Sequence, residues 1–189
     1  MSLTNLLVPT YLNMLRALSG WLDKAEAQVT EGGAAALLSR RLAPDMFPLA
    51  TQVRFACFQA QEATFRLRDR PVPEAVERVA REGREAGERP GSVADARARI
   101  AEALSALEAL DATALDGGAG RLLALALPDG VVFDLLGAQY ARDWALPQFQ
   151  FHVMTAYAIL RQAGVDLGKA DYVPHMLAYL RPGTPPQEP

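Results

Sequence analysis

The spacing of apolar residues along the chain predicts four long helices. Over residues 9–30 apolar side chains recur at steps of three and four, which places them on one face of a helix. The same spacing predicts helices over residues 46–67, 92–110 and 146–164. Because each apolar stripe is one-sided, the four helices are expected to bury these faces against one another as an all-α bundle.

Capping residues suggest where the predicted helices begin and end. We expect Pro9 to lie in the first turn of the first helix, where its missing N–H removes no hydrogen bond. Asp45 is a candidate N-cap for the second helix. Ser92 followed by Asp95 fits a cap with an acidic first turn for the third helix. Gly164 is expected to end the last helix.

The segments between these helices show other patterns. Residues 121–127 and 131–134 are short apolar runs on either side of Pro-Asp-Gly, which predicts a small β-hairpin just before the last helix. Residues 74–91 mix Arg and Glu with Gly, and we expect a solvated connector there. Residues 1–180 are predicted to form a single bundle domain, followed by a flexible tail over residues 181–189.

Composition narrows the class of protein without indicating an activity. The 189 residues carry a net charge of −3, and this acidic balance gives no support to a nucleic-acid binder. Asn13 and Arg16 interrupt the first apolar segment before it reaches the roughly 20 residues of a membrane span. The single cysteine, Cys57, excludes an internal disulfide and is expected to be a small buried hydrophobe. We therefore expect a cytoplasmic protein without nucleic-acid or membrane partners.

The candidate chemistry lies in the last predicted helix. Gln148 and His152 are four residues apart and share one helical face, which Thr155 continues. A His-x-x-x-His pair at this spacing is a familiar metal-binding motif. Here the first member is an amide, and a catalytic metal usually takes at least three good protein ligands. The alternative is a buried histidine whose ring is satisfied by Gln52, Gln148 or Thr155.

Three blocks of the sequence resemble a known family. They read RLAPDMFPLATQV, LPQFQFHVMTAYAILR and GVDLGKADY. They are similar to the DinB/YfiT-like superfamily of metalloenzymes, and most similar to a branch known only as a domain of unknown function. The resemblance implies a four-helix bundle with up-down-down-up topology.

Members of that superfamily typically bind a divalent metal, often zinc or nickel, through three histidines. One lies on the second helix, and two form an H-x-x-x-H pair ahead of an L-R-x-x-G ending. Aligned on that ending, His152 takes the last ligand position and Gln148 the one before it. On the second helix Phe55 falls near the first position, with Gln52 and Gln59 as its polar neighbours. We therefore expect no cofactor; if zinc or nickel binds weakly, its ligands are His152 and Gln148.

Three functions remain open from the sequence. The first is a bundle without the metal site that binds a small molecule through His152, Gln148, Gln52 and Thr155, or that is purely structural. The second is an enzyme with a reduced site around His152, either a general base or a weak metal ligand. The resemblance implies thiol-dependent transferases and hydrolases as its classes. The third is a structural or stress-response homodimer. Its interface would use the ends of the last helix and the aromatic cluster of Trp144, Phe149 and Phe151, residues that are expected either in the core or on the dimer surface.

Overall fold

The described chain, residues 2–29, 33–127 and 129–183, forms helices and one short hairpin in a computed structural model. The helices are α1 (Leu3–Gln28), α2 (Gly33–Leu38), α3 (Leu49–Leu67), α4 (Glu74–Glu85), α5 (Val93–Glu108), α6 (Gly137–Gln139), α7 (Leu146–Gln162) and α8 (Lys169–Tyr172). A π-helical turn, Tyr140–Ala145, joins α6 to α7, and 3-10 turns cover Asp116–Gly118 and Pro174–Tyr179. The hairpin pairs β1 (Leu122–Ala126) with β2 (Val132–Leu136). Within these ranges, no helix is both long and apolar enough to cross a membrane. The predicted tail falls partly on residues 184–189, which lie outside the described residues.

Helices α1 and α7 run in the same direction. The ring of Tyr11 packs edge to face on Phe149, with centroids 4.7 Å apart. Farther along both helices, Trp21 packs in the same way on Tyr157 at 5.3 Å. Such edge-to-face pairs contribute about 0.5–1.5 kcal/mol beyond the area that they bury. Because the residue numbers rise together along both helices, α1 and α7 are parallel.

Helix α5 runs in the opposite direction to α1. Arg16 in the middle of α1 pairs with Glu108 at the end of α5, with a nitrogen–oxygen distance of 2.7 Å. Arg97 near the start of α5 pairs with Glu26 near the end of α1, also at 2.7 Å. The residue numbers therefore change in opposite senses, and the two helices are antiparallel.

Helix α3 completes the bundle and lies across the core from α1. It packs mainly against α4, α5 and α7, whereas α1 packs mainly against α5 and α7. Gln52 near the start of α3 contacts His152 in the middle of α7. Glu62, farther along α3, lies near Tyr140, which precedes α7, so α3 and α7 are antiparallel. The bundle is therefore up-down-down-up, and the predicted fold is confirmed.

The interior between the four long helices is apolar. Fully buried side chains come from each of them, for example Leu15, Leu18, Val53, Ala60, Ile100 and Val153. Phe149 is also fully buried, which assigns this aromatic residue to the core. Cys57 is fully buried as predicted, and burial raises the pKa of its thiol to about 12. The thiol therefore stays protonated and is a poor nucleophile.

The prediction that α1 begins near Pro9 is wrong, because the helix begins at Leu3. Ser2 is the N-cap, and its hydroxyl accepts the N–H of Asn5 at 3.0 Å. Pro9 therefore lies inside the helix. Its missing N–H leaves the carbonyl of Asn5 without a helical partner. Because Asn5 and Pro9 are both exposed, water can satisfy that carbonyl.

The predicted cap of the second long helix is also wrong, whereas that of the third is confirmed. Helix α3 follows Pro48, whose extended backbone (ψ 170°) ends the preceding loop, so Asp45 is not the cap. At α5, the hydroxyl of Ser92 accepts the N–H of Asp95 at 3.1 Å. The carboxylate of Asp95 accepts the N–H of Ser92 at 2.8 Å, which completes a capping box.

The charged segment over residues 74–91 is not the predicted solvated connector. Most of it forms α4, which buries one narrow face against α3. Its buried residues stand at helical spacing: Val76, Val79, Ala80 and Gly83. The carbonyl of Gly83 accepts the hydroxyl of Thr51 at 2.8 Å. A Cβ on Gly83 would lie 2.9 Å from the ring of Phe55, so glycine permits this close approach. The segment thus forms one wall of the cleft described below.

The β-hairpin was predicted correctly, and its base packs against the end of α3. β1 and β2 are antiparallel, with Leu122 opposite Leu136 at the base. A Cβ on Gly118 would lie 2.1 Å from the carbonyl oxygen of Leu67, and one on Gly137 would lie 2.1 Å from that of Gly118. Only a residue without a side chain allows these backbones to approach so closely.

We expect Gly118→Ala to destabilise the protein, because the new methyl group would have to displace the end of α3. The expected loss is about 1–3 kcal/mol of unfolding free energy, as for other overpacked sites. The matched control is Gly117→Ala, since a Cβ there would have nothing within 4 Å. Urea denaturation of the two variants measures the difference. Equal midpoints would contradict this account of the junction.

Candidate functional site

A cavity of about 360 Å³ lies between α3, α4, α7 and the hairpin, and we call it the cleft. Helix α3 contributes a stripe at steps of three and four residues, and α7 and the turn before it contribute a facing stripe at steps of four. The side chains of these two stripes are Phe55, Phe58, Gln59, Glu62 and Arg66, and Trp144, Gln148 and His152. Glu77 and Arg84 of α4 and residues 125–127 of the hairpin form the remaining walls. Gln148 and His152 therefore share one face, as their spacing predicts.

His152 is held by one hydrogen bond from across the bundle. Its Nδ1 lies 2.8 Å from Oε1 of Gln52. The amide of Gln52 is itself oriented, because its Nε2 donates to the carbonyl of Phe47 at 3.1 Å. Oε1 of Gln52 must therefore accept, so Nδ1 of His152 carries the proton and Nε2 carries a lone pair.

The lone pair on Nε2 of His152 faces the cleft. The imidazole is only 8% exposed, and its buried side packs on Phe55 with ring centroids 5.1 Å apart. Nε2 has no hydrogen-bond partner among the described residues. Unlike a fully buried atom, it keeps some exposed surface. Since His152 lines the cleft, this nitrogen is available to a molecule inside it.

Burial sets the charge of His152. Removal from water penalises the imidazolium form and lowers the pKa of His152 to about 4. The ring is therefore neutral at pH 7, as an acceptor of hydrogen bonds must be. A pKa this far below neutrality also makes Nε2 a weak base.

The other predicted partners of His152 do not bond to its ring. The hydroxyl of Thr155 donates to the carbonyl of Phe151 in its own helix, at 2.7 Å. Gln148 lines the cleft beside His152, but the structure assigns no hydrogen bond between the two side chains. Of the sequence-predicted site residues, the structure brings Gln52, Gln148 and His152 together and leaves Thr155 tied to its own helix.

Glu62 is a cleft residue that the sequence interpretation missed. One of its oxygens, Oε1, accepts from Nε of Arg66 at 2.8 Å and contacts Nη2 at 2.7 Å. Burial raises the pKa of Glu62, although Arg66 opposes the shift. The other oxygen, Oε2, has no partner among the described residues. The sequence does contain a pattern that could have identified Glu62. Polar residues on α3 recur at spacings that place them on one helical face: Gln52, Gln59, Glu62 and Arg66.

Gln59 provides a third unsatisfied acceptor at the wall of the cleft. Its Oε1 is buried and has no hydrogen-bond partner among the described residues. A buried carbonyl oxygen without a donor costs about 1–3 kcal/mol. A ligand that supplies an N–H or O–H would recover part of that cost once the Gln59 amide rotates toward the cavity.

The residues present do not fit the three-histidine metal site that the resemblance implies. Among the described residues, no group of three His, Cys, Asp or Glu side chains is arranged to hold a metal ion. The last-helix pair is one amide and one imidazole, Gln148 and His152. On α3, Phe55 has no donor atom, and Oε1 of Gln52 is already bonded to His152.

The three aromatic residues considered for a dimer interface lie in different environments. Phe149 lies in the core and Trp144 lines the cleft. Phe151 is the member that reaches the surface, with 55% of its area exposed. The homodimer itself stays a prediction.

The fold and the cleft define a DinB-like four-helix bundle whose polar site lies between its second and last long helices. A solved structure of a DinB family member protein from Shewanella denitrificans is similar over 97% of this chain and 96% of that chain. It shares 30% sequence identity, and the TM-score is 0.72. A comparison with curated proteins gives no match.

The particular family follows from the sequence itself. Residues 3–173 match the family model described as "Domain of unknown function (DUF1993)". The chain therefore belongs to the DUF1993 family, and the predicted resemblance to a DinB-like branch of unknown function is confirmed.

The buried, neutral state of His152 predicts a specific pH dependence. The unfolded chain takes up a proton near the ordinary pKa of 6.5, whereas the folded chain does so only near 4. Stability is therefore complete above pH 6.5 and falls as the pH decreases toward 4, by about 3 kcal/mol. We expect wild type to lose that much more unfolding free energy than His152→Gln over this range. Urea denaturation at each pH measures the unfolding free energy. If it falls equally in wild type and His152→Gln between pH 6.5 and 4, the imidazole is not kept neutral by burial.

Proposed function

We propose that the protein binds a small, neutral organic molecule in the cleft, without a three-histidine metal centre. The observation that carries the proposal is the lone pair on Nε2 of His152, which Gln52 orients and burial keeps neutral. A partner for this nitrogen must offer an O–H or N–H group. The ligand class that fits is therefore a hydrogen-bond donor attached to an apolar or aromatic body.

The shape and lining of the cleft support this class. Its volume of about 360 Å³ lies within the range of about 300–1,000 Å³ that is usual for small-molecule pockets. Apolar and aromatic surface comes from Phe55, Phe58 and Trp144. Within the described part of the chain, the charged residues that line it are two acids and two bases: Glu62, Glu77, Arg66 and Arg84. Because these charges balance, the cleft favours a neutral ligand.

Binding is supported better than catalysis. A general base works best when its pKa lies near the working pH, and the pKa of His152 lies near 4. The thiol of Cys57, the only cysteine, is buried in the core, so it cannot act as a nucleophile in the cleft. A transferase or hydrolase centred on His152 would thus lack a strong base and a thiol nucleophile of its own.

The test uses ligand-observed NMR with phenol and benzyl alcohol as probes. Both carry one O–H donor on an aromatic body. We expect His152→Phe to weaken binding about tenfold, because it keeps an aromatic ring and removes the acceptor. Gln59→Leu should weaken binding to a similar extent, and it leaves the Gln52–His152 hydrogen bond intact.

The matched control is His175→Phe, the same substitution in a residue that lies outside the cleft. It should bind both probes as wild type does. Unchanged affinity in both His152→Phe and Gln59→Leu, with circular dichroism showing folded protein, would overturn the proposal. So would equal weakening in His175→Phe.

A further inference from the structure

A second cavity of about 400 Å³ lies between the C-terminal end of α3 and strand β1. It is the neighbour of the cleft, because Arg66 borders both cavities and β1 forms a wall of each. The described residues that line it include three arginines and one acid: Arg66, Arg70, Arg121 and Asp69. Because Arg66 is paired with Glu62, the excess positive charge of this pocket comes from Arg70 and Arg121, opposed by Asp69, in a protein whose overall charge is −3.

These arginines keep donors that the protein does not use. Arg121 donates from Nη1 to the carbonyl of Leu67 at 3.2 Å, which leaves Nε and Nη2 without partners among the described residues. Arg66 commits Nε and Nη2 to Glu62, which leaves Nη1. For the side chain of Arg70, no hydrogen bond or ion pair is found within the described part of the chain. A guanidinium group stays protonated at any physiological pH, so these N–H groups need an anion or water as a hydrogen-bond acceptor.

The pocket is built on a rigid part of the fold. The carbonyl of Leu67 that holds Arg121 is the same atom that the backbone of Gly118 approaches closely. The N–H of Arg70 donates to the carbonyl of Phe65 at 3.0 Å, which fixes the turn that follows α3. The hydrogen-bonded guanidinium of Arg121 is therefore positioned before a ligand binds and loses less entropy on binding, whereas the exposed side chain of Arg70 is ordered by the ligand.

We propose that this pocket binds an oxyanion, a carboxylate or a phosphate group, of a small molecule. A guanidinium group can donate two parallel hydrogen bonds to two oxygens of either anion, and these charge-assisted bonds are about twice as strong as neutral ones. The apolar part of the molecule would lie against Pro71 and Leu123, which also line the pocket. The site does not depend on the neutral ligand proposed for the cleft, and either can exist without the other.

The experiment is an NMR titration of the full chain at low ionic strength, observing the backbone amides of residues 118–124. Inorganic phosphate and benzoate are the two probes. We expect Arg121→Gln and Arg70→Gln each to weaken binding at least tenfold. Tighter binding of phosphate would identify a phosphate-bearing ligand, whereas tighter binding of benzoate would identify a carboxylate on an apolar body.

Two further variants make the test specific. Arg40→Gln removes the same charge from an exposed residue at the opposite end of α3 and should bind as wild type does. Asp69→Asn should tighten binding several-fold, because it removes the negative charge from the pocket. Asparagine tolerates the positive φ of 56° at this position, so the turn is kept. Failure of both probes to bind wild type, or equal weakening in Arg40→Gln and Arg121→Gln, would overturn the proposal.

Discussion

The hydrogen bond between Gln52 and His152 is the interaction on which the candidate site depends. It joins α3 to α7 through Nδ1 of the imidazole, and the carbonyl of Phe47 orients the amide that accepts it. Three properties of the site follow from this bond. The proton is placed on Nδ1, the lone pair on Nε2 is turned to the cleft, and the amide oxygen on α3 is no longer available to a metal.

The electrostatics of the cleft are consistent with that arrangement. An imidazole buried to this extent would be destabilising if charged, and the lowered pKa of about 4 keeps it neutral. Glu62 and Arg66 form the other polar pair of the cleft and neutralise each other. Three acceptors remain without a hydrogen-bond donor among the described residues: Nε2 of His152, Oε1 of Gln59 and Oε2 of Glu62. Because the cleft presents hydrogen-bond acceptors and its acidic and basic side chains balance in charge, it suits a neutral hydrogen-bond donor better than a cation.

Much of the fold could be predicted from local sequence patterns. The four apolar stripes predicted the long helices because each helix must bury one face. The Pro-Asp-Gly turn between two apolar runs predicted the hairpin. The start of α1 was missed because Ser2 caps a helix that tolerates Pro9 in its exposed face. Helix α4 was missed because its buried face, which includes Val79 and Gly83, is small. The many charged residues around that face made the segment resemble a solvated connector.

The candidate site could be predicted only in part. The spacing of Gln148 and His152 placed both on one face, and Gln52 was one of three partners considered for the imidazole. The choice among them depends on the register of α3 against α7, which is a tertiary property that the local pattern does not contain. Glu62 and the arginine pocket were missed for the same reason. Arg66 and Arg121 are far apart in sequence and meet only because the hairpin packs on the end of α3.

The most direct test of the account is a long-range proton–nitrogen NMR spectrum of His152, recorded before and after one equivalent of zinc is added. The proton is expected on Nδ1 at pH 7, and both ring nitrogens are expected to keep their chemical shifts when zinc is added. A proton on Nε2, or a stoichiometric shift of the ring nitrogens that a chelator reverses, would contradict it. The reversible zinc-dependent shift would make His152 a metal ligand, and the cleft would then retain the metal chemistry implied by the resemblance.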